Sequence, residues 1–116
     1  MRQQQRFRIS PRRKVNMPMI LEAGASRTMH RANLVDLGLA GAKLSLMELV
    51  AAGIQVSFEI PSAMLWNPLR LRGHVVWSQF DIHAHEAYLG VRFDHDSAAS
   101  LLCLFELLSS PSLGNR

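Results

Sequence analysis

The sequence predicts an all-β fold, a small antiparallel barrel with a C-terminal amphipathic α-helix closing one end of the sheet. Three observations predict it. Several segments alternate apolar and polar residues with the period of a half-buried strand. Turn-forming residues punctuate these segments at roughly 8 to 12 residue intervals, the spacing of a small barrel. Near residue 96 the apolar period then changes from that of a strand to that of a helix.

The elements follow in order. Residues 1–14 show no apolar period and carry Pro11, so they read as a flexible basic arm. The barrel and helix occupy 15–110, and 111–116 read as a disordered tail. "VNMPMILEAG" is the first extended segment, and Pro18 in it points to an edge position or a bulge. "RANLVDL" and "GAKLSL" form two short strands joined by a glycine-bearing turn, and "MELVAAG" is an excursion ending at Gly53. "IQVSFEIP" alternates Ile54, Val56, Phe58 and Ile60 with Gln55, Ser57 and Glu59. "PSAMLWNP" is a loop between prolines, with Trp66 a lid over the core or part of a partner surface. "LRLRGHVVWSQF" alternates again, with Gly73 where a bulge or bend would sit, and "HEAYLGVRF" is the last strand. In "DSAASLLCLFELLSS", Leu101, Leu104, Phe105 and Leu108 recur at helical spacing, with Asp96 or Ser97 as N-cap.

Composition narrows the class. The chain has 116 residues, 48% hydrophobic and 19% charged, the profile of one globular domain. Cys103 is the sole cysteine, so no intrachain disulfide can form. It should sit in the helix as a buried small hydrophobe, while Met17, Met19, Met29, Met47 and Met64 should fill core gaps. No apolar run approaches the ~18 residues of a membrane span, and no apolar stretch follows the basic N-terminus as in a secretory signal. The expected location is cytoplasmic.

The net charge of +4 is unevenly placed. Residues 1–31 hold eight basic residues against Glu22 alone, and the rest of the chain holds five against eight acids. A basic arm on a mildly acidic body calls for an anionic partner: nucleotide, nucleic acid, lipid headgroup or acidic protein.

Five features in a fixed order sharpen that expectation. Arg8 and Arg12 spell R-x-x-x-R, and a proline-bearing strand follows. Asp36, Gly38 and Gly41 then spell D-x-G-x-x-G, followed by "GHVVW" from Gly73 to Trp77 and "LGVRF" from Leu89 to Phe93. In this order the chain resembles the PilZ domain family over residues 8–108. The resemblance implies a barrel that binds cyclic di-GMP through the arginine motif and [D/N]-x-S-x-x-G. It implies no catalysis and outputs such as motility, pilus function, exopolysaccharide synthesis or transcription. The chain departs from the pattern at Gly38, where the family has serine. Arg2 and Arg6 also spell R-x-x-x-R, but the step from Arg12 to Pro18 favours Arg8 and Arg12.

The implied chemistry is intelligible at each residue. A guanidinium donates two parallel hydrogen bonds to guanine O6 and N7 or to a phosphate, and stacks on a purine. Arg8 and Arg12, with Arg13 adjacent, are thus the expected grip of the arm, which becomes ordered on binding. Asp36 accepts from the guanine N1–H and N2–H₂ edge. Gly41 lets the backbone turn and the ligand approach. Gly38 forfeits one neutral hydrogen bond, about 0.5 to 1.5 kcal/mol or roughly 2- to 13-fold in affinity.

Other constellations carry less. His83 and His85 lie beside Glu86 but lack further ligands at metal-binding spacing. Trp77 reads as core or barrel-rim packing, with base stacking the lesser reading. No nucleophile–base pair stands out, so no enzyme is expected and no cofactor besides the ligand. The leading function is a non-enzymatic cyclic di-GMP receptor acting on an unidentified effector protein. The first alternative, supported by Gly38, is a degenerate adaptor that binds protein and no nucleotide. The second, nucleic-acid binding through the arm, is disfavoured because only Phe7 interleaves the arginines.

Overall fold

Six strands and one helix follow one another in the computed structural model, which describes residues 12–60, 69–95 and 98–109. They are β1 (Arg12–Ala23), β2 (Thr28–Gly38), β3 (Gly41–Leu46), β4 (Gln55–Ile60), β5 (Leu69–Asp81), β6 (Glu86–Phe93) and α1 (Ala98–Ser109). The strands close into an antiparallel barrel in the order β1-β2-β3-β6-β5-β4. Both the all-β barrel and its C-terminal helix are as the sequence predicts.

Alternation sorts the side chains. On β4, Val56, Phe58 and Ile60 point into the barrel, while Gln55 and Glu59 are exposed and Ser57 half-exposed. Leu21, Leu34, Leu44 and Leu89 contribute the fully buried middle of the core. Phe58 and Phe93 meet across it with ring centroids 6.1 Å apart.

The barrel's seam is short. Among the described residues β1 pairs with β4 only through Glu22↔Ser57 and Ala23↔Val56. Arg70, one strand further on, reinforces it. Its guanidinium donates to Glu59 at 3.1 Å, to Ser57 at 3.1 Å and across the seam to Glu22 at 3.3 Å. Pro18 lies on the stretch of β1 that, among the described residues, pairs with β2 alone, so the other edge there carries no ladder for a proline to break.

Several expectations need correction. β1 begins at Arg12, so Arg12, Arg13 and Lys14 lie in a strand opposite Gly38, Leu37 and Asp36 rather than in an arm ending at residue 14. Gly73 is not the bulge: it stays in register between Val56 and Phe93, where a Cβ would overlap the Arg92 carbonyl oxygen. The shift falls between Val75 and Trp77. On α1 the buried stripe is Leu104, Leu107 and Leu108, whereas Leu101 and Phe105 are 39% and 44% exposed. A leucine-rich helix offers two overlapping stripes, and docking onto the barrel selects one. Cys103 beside that stripe is half-exposed. Met19 is buried and Met17 packs against the core, but Met29 and Met47 are exposed near strand ends. Met64 and Trp66, the Asp96/Ser97 cap and the 111–116 tail lie outside the described residues. No described helix is long and apolar enough to cross a membrane.

Candidate functional site

The outer faces of neighbouring strands carry the site. Cross-strand partners in an antiparallel pair project to the same side. Lys14 on β1 is opposite Asp36 on β2, and Asp36 is opposite Lys43 on β3. Lys43 is opposite Gly90 on β6, and Gly90 is opposite Trp77 on β5. The pairings therefore lay one row, Lys14–Asp36–Lys43–Gly90–Trp77, across five strands. A second row lies beside it, running from Gly41 through Arg92 to His74.

Local features build the row. The irregularity between Leu34 and Asp36 resets the alternation, so Leu37 is fully buried and the flanking Asp36 and Gly38 share the other face. The bulge at Val76 does the same on β5. It leaves Val75 at 1% exposure inside the barrel and turns Trp77 outward at 42%. The indole lies across Gly90, where a Cβ would overlap its Nε1 and ring carbons. Gly90 is thus the seat of the ring. Gly41 answers a different need: a Cβ there would overlap the Val91 carbonyl oxygen. Its lack of a side chain serves the approach of β3 to β6, a packing reason that the reading of a ligand-approach glycine did not include.

Asp36, Gly41, Lys43, Trp77, Gly90 and Arg92 of these rows line a surface groove of about 290 Å³, with Lys14 and His74 at the ends of the rows. One carboxylate lies between two lysines and near an arginine, beside the exposed face of an aromatic ring. Such a groove can accept hydrogen bonds from a base edge, neutralise phosphates and stack a planar ring. The Lys43 ammonium also lies 5.2 Å from the centroid of the Tyr88 ring. Tyr88 donates to Glu86 at 3.0 Å, and that hydrogen bond and the Glu86 charge raise the phenol's pKa above its ordinary value. His74 Nδ1 stands 3.4 Å from Asp94 beside the second row.

The sequence-predicted residues distribute unevenly. Asp36, Gly38 and Gly41 come together at the β2–β3 hairpin, and the backbone of Arg12 pairs with Gly38. Arg8 lies outside the described residues, as do Arg2 and Arg6. Arg13 follows the opposite alternation to Lys14. Its guanidinium donates to the Leu108 carbonyl of α1 at 3.2 Å, joining β1 to the last turn of the helix. Lys43, Gly90 and Arg92 were missed. Their outward orientation is legible in "GAKLSL" and "LGVRF", but the register that aligns them with Asp36 is not. Trp77, read mainly as packing, both packs on Gly90 and lines the groove.

Two other features are weaker candidates. A groove of about 400 Å³ beside the β1–β4 seam includes Ile20, Met29 and Arg70, but its arginine is already committed to Glu22 and Glu59. Among the described residues no group of three or more His, Cys, Asp or Glu side chains could hold a metal ion, and His83 and His85 lie exposed around the β5–β6 turn.

The PilZ domain profile matches residues 2–110. Among solved structures the chain is similar to the inhibitor of motility MotI/DgrA of Bacillus subtilis, with a TM-score of 0.66 and 11% identity over 94% of this chain and 52% of that one. It is also similar to YcgR of Escherichia coli, solved in complex with c-di-GMP, with a TM-score of 0.58 and 19% identity over 88% of this chain and 44% of that one. At these identities the likeness is one of fold, and the chain spans about half the length of each structure. No curated protein matches the sequence.

Proposed function

The chain belongs to the PilZ domain family, and on that premise we propose that it is a working receptor module for cyclic di-GMP. PilZ domains are typically non-enzymatic receptors for this dinucleotide. The observation that carries the proposal for this chain is the row Asp36–Lys43–Gly90–Trp77, which sets an acceptor, a cation and an exposed aromatic face along one groove, with Lys14 paired to Asp36 at its β1 end.

In this reading the Asp36 carboxylate accepts from the Watson–Crick edge of a guanine. Arg8 and Arg12, the two arginines of R-x-x-x-R, donate to guanine O6 and N7 or to a phosphate. Lys43 and Arg92 supply further positive charge toward the phosphates, and the exposed indole of Trp77 stacks on a purine. Gly41 lets β3 approach β6, and Gly38 brings no side-chain donor. Arg13 donates to the Leu108 carbonyl, so its first role is at the helix. The module acts in the cytoplasm and signals through an effector protein. Gly38 supports one competing reading, a protein-binding adaptor that has lost the nucleotide.

Calorimetric titration with cyclic di-GMP tests the proposal, alongside Arg12→Ala and Asp36→Ala. Binding in the micromolar range or tighter, weakened at least tenfold by each substitution, is the expected result. Absence of heat together with absence of thermal stabilisation at millimolar ligand would leave the adaptor reading in its place.

A further inference from the structure

We propose that His95, which lies outside every motif of the sequence, is a positioning residue for the ligand-binding hairpin. The inference rests on the receptor reading above and adds a residue to it. The hairpin is short: Gly38 is the last residue of β2 and Gly41 the first of β3, so only Leu39 and Ala40 lie between them. The carbonyls of both are gripped from the exit of β6. The Phe93 N–H donates to the Ala40 carbonyl at 2.8 Å. His95 Nε2 lies 2.7 Å from the Leu39 carbonyl oxygen. A carbonyl only accepts, so Nε2 carries the hydrogen and donates it.

The imidazole is itself braced. Its ring stands edge-on to Phe93, with centroids 5.7 Å apart and planes at 70°. Phe93 is buried and in turn meets Phe58. A continuous contact chain therefore runs from the core through Phe93 and His95 to the turn that connects Asp36 and Gly38 with Gly41. Fixing a binding turn before the ligand arrives removes part of the ordering cost of association. His95 contributes this without touching the ligand.

The test compares His95→Ala and His95→Gln with the wild-type chain. Glutamine places an N–H donor at about the reach of Nε2, whereas alanine places none. Expected are a roughly 3- to 10-fold weaker affinity for cyclic di-GMP in His95→Ala and recovery to within about 2-fold of wild type in His95→Gln. Amide hydrogen exchange gives a second readout: Phe93 N–H should exchange faster in His95→Ala and regain protection in His95→Gln. A merely structural role for the ring would leave glutamine as poor as alanine, and that result overturns the inference. So does His95→Ala with wild-type affinity and wild-type Phe93 protection. Should the wild-type chain bind no dinucleotide, the receptor reading falls, and the exchange of Phe93 still decides whether His95 holds the turn.

Discussion

Gly38 and Gly41 belong to one motif yet answer to different physics. Gly41 lacks a side chain because the Val91 carbonyl occupies the space of a Cβ. Gly41→Ala should therefore cost about 1 to 3 kcal/mol, read as a lowered melting temperature with or without ligand. Gly38 stands where the resemblance implies serine, and on the receptor reading Gly38→Ser should tighten cyclic di-GMP binding by roughly 2- to 13-fold in a calorimetric titration. Unchanged or weaker binding would show that the hydroxyl has no partner here. Tyr88 offers a third check. It is the sole tyrosine, so an absorbance titration reads it alone. Glu86 raises its pKa, so Glu86→Gln should move the phenol's titration down toward its ordinary value. The sign follows: protonated Tyr88 is favoured in the fold, and any stability it lends is lost as pH rises through the raised pKa. At this scale the sequence revealed Asp36 and the glycines but not the packing reason for Gly41, because a steric need for glycine comes from the strand it faces.

The elements were largely legible, and their alignment was not. Period-two alternation located β4 and β5, because a half-buried sheet leaves that pattern in the chain. The bulge went to Gly73 instead of Val76, since a glycine marks either a bulge or a close approach and here marks the second. The helix was found, but its stripe was displaced toward Leu107. Leu104→Ala should thus cost about 2 to 5 kcal/mol, and Leu102→Ala, at an exposed position, no more than about 0.5 kcal/mol in chemical denaturation. Equal effects would contradict the docking of α1. The seam is the element-scale weak point. Arg70→Ala removes partly exposed ion pairs worth about 1 kcal/mol at most, so global stability should change little. Amide exchange around Glu22 and Ser57 should nonetheless accelerate, because few bonds hold that stretch.

At the scale of the molecule, the seam groove among the described residues is larger than the candidate site's groove and is not the candidate site. The seam groove is bigger, but Arg70 in it is neutralised by Glu22 and Glu59. The smaller groove adjoins the hairpin that carries Asp36, the start of the strand that carries Arg12, and the exposed indole of Trp77. The pairing of β3 with β6 makes this convergence. It brings β5 and β6, distant in sequence from β2, into the row beside Asp36. Lys43, Gly90 and Arg92 could not be assigned from sequence for that reason, since their significance depends on pairing partners up to several strands away.

Mapping amide chemical shifts during titration with cyclic di-GMP tests the central claim most directly. The account predicts that the largest shifts fall on Asp36, Lys43, Trp77, Gly90 and Arg92, with the Trp77 indole N–H moving as well. Shifts centred on Ile20, Met29 and Arg70, or no shifts at saturating dinucleotide, would contradict it.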